Sequence, residues 1–146
     1  MGDIVAACLH HLALLVMTGA LCAEFVLLRQ DDIRAHVGTL SRIDVVYILS
    51  ALVLLLAGLS RLVWFGKGMA FYQQTPYFHV KMMLFVLIGV LSIPPTMRYV
   101  RWRRAAVAGT LAITPAEHRS TRRLVLAELH LLLLMPLFAV LMARGY

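Results

Sequence analysis

The chain has 146 residues, 62% of them hydrophobic and 14% charged, with a mean hydropathy of +0.85 and a formal net charge of +7. That balance is too apolar for a soluble domain and too poor in charge for a disordered one, so the chain reads as an integral membrane protein. The basic residues fit a membrane-topology signal and attraction to anionic lipid head groups, which excludes nucleic acid as the partner.

Four apolar runs follow one another: Val5 to Leu28, Val45 to Phe65, Phe78 to Val100, and Leu124 to Ala143. Each is close to the roughly 20 residues that an α-helix needs to cross about 30 Å of hydrocarbon. None alternates in polarity as the strands of a membrane barrel would. The expectation is one all-α domain, an integral membrane four-helix bundle with helices at about 5–28, 45–65, 78–100 and 115–143. The first run opens with Val5-Ala6-Ala7-Cys8, which looks like a lipoprotein cleavage box. No Lys or Arg precedes it and its apolar lead is too short for a signal peptidase, so it is expected to stay as a helix. Cys8 and Cys22 lie on this one helix, about 21 Å apart in rise, too far to bridge each other.

The second run carries Tyr47, Ser50, Leu54, Ala57 and Arg61 on one face at helical spacing, a polar and small-residue seam that ends in a guanidinium. The connection after it, from Gly66-Lys67-Gly68 to Pro76, is short and glycine-containing. The third run begins with His79 and Lys81 and holds Pro94-Pro95, where each ring removes a backbone donor and a kink or early turn is expected. Residues 101–107 are expected to continue this helix until Gly109 stops it. Thr114-Pro115-Ala116-Glu117 has the capping-box arrangement, a hydroxyl at the N-cap and glutamate three residues on, and should start the fourth helix.

Of the fourteen Lys and Arg residues, ten flank one side of the spans and only Lys67 and Arg144 the other, with Arg61 and Lys81 inside. The positive-inside rule then puts both termini on the outer side of the membrane and the Arg-rich loop in the cytoplasm. Trp64, Phe65, Tyr72, Tyr77 and Phe78 read as anchors at the outer boundary, and Tyr99 and Trp102 as anchors at the inner one.

Polar side chains inside the spans fall into two layers. The outer layer holds His10, Arg61, His79 and Lys81, and the inner one Glu24, Glu128 and His130. A charge at bilayer depth costs at least about 2.5 kcal/mol on insertion scales, so such residues usually face a protein interior and mark a site. On the first helix His10, Met17, Leu21 and Glu24 share a stripe from which His11 points about 100° away. Within the pairs His79 and Lys81, and Glu128 and His130, only one member can face the bundle. Glu24 and Glu128 have two readings: salt bridges to Arg29, Arg122 and Arg123, or a proton relay. Arg61 and Lys81 suit the carboxylates of an anionic ligand such as the propionates of haem, or else lipid phosphate. His10 and His79, at similar depth, are candidate ligands for haem iron. No HExxH, CxxC, CxxCH, Walker or GxGxxG pattern occurs. The eight methionines read as packing.

The segment from Arg61 to Gly68, with Phe71-Tyr72, Phe78, Lys81, Ser92-Ile93-Pro94-Pro95, Arg98 and Trp102-Arg103-Arg104, resembles an uncharacterised family of small bacterial four-helix membrane proteins. The resemblance includes Glu24 to Arg29, Leu126 to Glu128 and Met142 to Gly145, nearly the whole chain, and implies no established activity. More distantly, a histidine on helix 1 and the His79-Val80-Lys81 start of helix 3 are similar to the HemJ-type protoporphyrinogen oxidases. That resemblance implies haem-associated His10 (or His11) and His79, with Lys81 near the porphyrin. Pro94-Pro95 and the start of the last helix depart from that family, so its enzyme activity is not carried over.

Two functional classes follow. One is a membrane protein holding haem b or a related anionic macrocycle in an outer-side pocket of His10, Arg61, His79 and Lys81. The other is a non-catalytic accessory or assembly protein, binding anionic lipid through those cations and a partner subunit or second copy through His11 and His130. A small transporter or proton relay would need a continuous polar path from Arg61 to Glu24 and Glu128. Neither class names a reaction.

Overall fold

The computed structural model describes residues 1–65, 74 and 76–144. Four long helices dominate them: α1 (Gly2–Leu27), α2 (Val37–Ser60), α3 (Pro76–Val107) and α4 (Pro115–Arg144). A 3-10 turn at Ile33–His36 leads into α2, and a π-helical turn at Arg61–Phe65 extends it. All four are long and apolar enough to span a membrane. The connection with Gly66, Lys67, Gly68 and Tyr72 lies outside the described residues.

Each helix buries one stripe at spacings of three and four. On α1 it is Ala13, Met17, Ala20, Leu21 and Glu24; on α2 Leu40, Asp44, Tyr47, Ser50, Leu54 and Ala57; on α3 Leu84, Ile88, Pro95, Tyr99 and Trp102; and on α4 Thr121, Val125, Glu128, Leu132 and Met135. The opposite faces expose Leu15, Leu52, Val86, Met97 and Leu133. A surface so apolar is suited to lipid, where dispersion packing and interhelical hydrogen bonds hold helices together. α1 packs most extensively on α2 and α3 on α4, while α2–α3 and α1–α4 close the square. The bundle therefore has one end carrying the termini and another carrying the connections at 28–36 and 108–114.

The second helix starts at Val37, eight residues before its apolar run, because Val37, Leu40, Ser41 and Asp44 continue the buried stripe through a segment whose other face carries Arg42. α3 runs unbroken through Pro94 and Pro95, with Pro95 buried, so the early turn expected there does not occur. It ends at Val107, and Gly109 adopts a positive φ of 70°, the left-handed geometry that terminates helices. The Glu117 backbone N–H donates to Thr114 Oγ1 at 3.2 Å, the N-cap half of the expected box. The Glu117 carboxylate reaches instead to Arg101 and clips the end of α3 to the start of α4. Thr114→Ala is expected to cost about 1 kcal/mol in thermal or denaturant unfolding.

Tyr99 and Trp102, read from the sequence as interfacial anchors, are core residues at 0% and 1% exposure. Their spacing from Pro95 places them on the buried stripe of α3, and no rule of membrane depth alone distinguishes that face from the lipid face. Trp64, by contrast, is 74% exposed, as an anchor should be.

Candidate functional site

At the terminal end, α1 and α2 bring together His10 and Arg61. His10 is half-buried, and its Nδ1 lies 3.2 Å from the Leu54 carbonyl across the helix interface. A carbonyl only accepts, so Nδ1 carries the proton, and in a neutral ring the lone pair is then on Nε2. Gly58 makes the seat: a Cβ there would stand 3.4 Å from His10 Cε1 and 3.5 Å from Nδ1. Lys81, half-buried on α3, and Arg61 both act electrostatically on this ring. The Arg61 Nε donates to Asp3 at 3.2 Å, with both side chains more than a third exposed, so this guanidinium lies at the rim of the bundle. His79 is exposed beside Phe78, ring centroids 5.7 Å apart. His11 points away, with its Nδ1 2.7 Å from Ala7 O on its own helix.

The second layer lies toward the loop end, and all four helices contribute. Tyr99 on α3 donates its hydroxyl to Glu24 Oε2 on α1 at 3.2 Å, and Tyr47 on α2 donates to Glu128 Oε2 on α4 at 3.0 Å. Both bonds join helices at opposite corners of the square, where backbones are farthest apart and a tyrosine has the length to reach. Thr96 on α3 donates to Asp44 Oδ1 on α2 at 2.8 Å. Glu24 is 2% exposed, Asp44 4% and Glu128 1%; Glu24 feels the charge of Asp44 and Glu128, and Glu128 that of Asp44.

The arginines read as partners for these acids are engaged elsewhere or are not paired with them. Arg29 sits over the Phe25 ring, 6.0 Å from its centroid. Among the described residues the ion pairs are Arg61 with Asp3 and Arg101 with Glu117, so tyrosine hydroxyls stand where the salt bridges to Arg29, Arg122 and Arg123 were expected. Within each pair set apart by helical rotation, Glu128 and Lys81 turn inward while His130 and His79 are exposed. His130 bonds through Nδ1 to Leu126 O at 2.7 Å and takes no part in the layer.

Asp44 is the member that sequence reasoning missed. It lies just before the second apolar run, where an acid reads as part of a loop. The available signal was its spacing of three from Tyr47, which extends the polar seam by one turn.

Fold and layers together define a multi-pass membrane protein, four helices joined at their centre by carboxyl and tyrosine side chains. The chain belongs to the family described as predicted membrane protein DUF2214, a domain of unknown function, which matches residues 2–146. No curated protein and no solved structure matches it.

Proposed function

We propose that this protein is a bacterial inner-membrane, haem-binding protein that holds haem b or a related anionic macrocycle at the terminal, outer end of the bundle. The observation that carries the reading is the His10 ring, whose Nδ1 proton is committed to the Leu54 carbonyl. That bond leaves Nε2 as the free donor, the arrangement in which an orienting backbone carbonyl prepares an imidazole for iron. The ring is seated against Gly58, which has no side chain to displace it. His79, from α3, is the second candidate ligand, and Lys81 with Arg61 supplies positive charge for the propionates. Val63, Trp64 and His79 are exposed, so the macrocycle would lie at the rim of the bundle, partly open to lipid. A bound haem supplies one-electron chemistry; the chain's own part is ligation, orientation and neutralisation of the carboxylates.

The test is the absorption spectrum of protein purified from haem-replete cells. A Soret band is expected, abolished in His10→Ala, and in Gly58→Leu through displacement of the ring, but retained in His11→Ala. A colourless wild-type protein that is folded overturns the proposal.

A second reading is supported by the exposure of the Arg61–Asp3 pair, which suits lipid head groups at a bundle surface. It makes the protein an accessory or assembly subunit, with lipid or a partner at this end. Native mass spectrometry separates the two: retained porphyrin favours the first, and an oligomer carrying lipid alone favours the second.

A further inference from the structure

We propose that Glu24, Asp44 and Glu128, together with Tyr47 and Tyr99, form a proton-binding site inside the membrane-spanning bundle. It is separate from the terminal-end site and does not depend on the macrocycle reading.

The inference starts from which oxygens are served. Tyr99 and Tyr47 each donate to one glutamate oxygen, Oε2 in both cases. Among the described residues the buried side-chain atoms with no hydrogen-bond partner are Glu24 Oε1, Glu128 Oε1 and Trp102 Nε1. All three residues are at most 2% exposed, and the Trp102 ring lies 5.9 Å from that of Tyr99, beside the Glu24 bond. Two buried carboxyl groups thus each have one oxygen bonded and one bare, and three acids share a single layer.

The charged groups facing the layer can be followed helix by helix. α1 contributes Glu24, with Arg29 turned over Phe25. α2 contributes Asp44 and Tyr47. α3 contributes Tyr99, while its Arg98 donates to Ser120 Oγ at 3.3 Å and Thr121 Oγ1 at 2.9 Å, and its Arg101 pairs with Glu117. α4 contributes Glu128. The acids therefore meet neutral hydroxyls, with Arg29, Arg98 and Arg101 held elsewhere.

An isolated carboxylate in a low-dielectric interior is costly, and like charges sharing a site raise that cost. A proton on Oε1 removes the charge while Oε2 continues to accept the tyrosine hydroxyl. No tyrosine bond has to break for the proton to arrive or leave. A metal ion is the poorer occupant, since no three His, Cys, Asp or Glu side chains among the described residues gather as its ligands. Because the three carboxyls interact, loading one is coupled to the state of the others.

A cleft opens at the loop end, close to the layer. It measures about 450 Å³ between α2 and α3 and is lined by Ser41, Val100, Arg103, Arg104 and Val107. Ser41 lies one turn before Asp44 on the same buried stripe. Asp44 thus lies one turn from a residue that lines the cleft.

The experiment is infrared difference spectroscopy on the full chain in lipid vesicles while bath pH is stepped. The expected result is a carbonyl band of protonated carboxyl that shifts in D2O, declines as pH rises, and loses intensity in Glu24→Gln, Asp44→Asn or Glu128→Gln. The amides preserve an acceptor for the tyrosine or threonine, so a merely structural clamp would survive these changes with no such band to lose. A protein without the band, or a band unchanged in all three variants, overturns the proposal. Should a variant fail to insert, the wild type carries the test through labelling by a hydrophobic carbodiimide, which adds to protonated carboxyls. Adducts mapped by mass spectrometry to these acids support the site, and their absence together with the band's overturns it.

Discussion

Trp102→Ala is expected to destabilise the bundle by about 3–5 kcal/mol, whereas Trp64→Ala is expected to stay within about 0.5 kcal/mol. The two tryptophans have similar surroundings in the sequence, each at the end of an apolar run, but Trp102 is 1% exposed and Trp64 74%. In lipid the loss at Trp102 comes from dispersion contacts with Tyr99 and the stripes facing it, since its surface would be apolar-solvated on either side of the unfolding reaction. Trp102→Phe is expected to cost less than alanine, because it keeps much of the ring and removes an indole N–H that has no acceptor. Reversible unfolding in mixed detergent micelles measures all three. Equal costs at Trp64 and Trp102 would contradict the placement of α3.

Removing the diagonal tyrosine hydroxyls is expected to have the next largest effect. Tyr47→Phe leaves Glu128 with neither oxygen bonded to a side chain, and Tyr99→Phe does the same to Glu24. Leaving a buried polar group unserved costs about 1–3 kcal/mol. Each loss should shrink when the partner acid is replaced by leucine, which removes the orphan as well as the bond. A double-mutant cycle for Tyr47→Phe with Glu128→Leu should give a coupling of about 0.5–3 kcal/mol. The cycle for Tyr47→Phe with Trp64→Ala, residues that share no partner, should be additive within about 0.5 kcal/mol. A vanishing first coupling would mean that the diagonal bonds hold nothing together. In that case the polar layer would be a consequence of the fold and not one of its fastenings.

Much of the architecture was legible in the chain. Four apolar runs of spanning length dictate four helices, because a bilayer forces each backbone to satisfy its own hydrogen bonds. Helical rotation separated His10, Met17, Leu21 and Glu24 from His11, and Glu128 from His130, before any packing was known. Thr114 and Gly109 marked their helix ends for local steric and hydrogen-bonding reasons. The family membership agrees with this, since it describes a membrane protein along residues 2–146.

The identity of the polar partners was beyond the sequence. Charge and depth suggested arginines for Glu24 and Glu128, yet tyrosines from opposite helices reach them first, because the square packing places Tyr47 and Tyr99 on the diagonals. The same packing turned Trp102 inward and brought Asp44 beneath the bilayer-facing surface as part of a buried stripe. Periodicity fixes which side chains share a face, an intrahelical property written into the order of residues. Which face meets which neighbour depends on how four stripes interlock, and only the tertiary arrangement decides that.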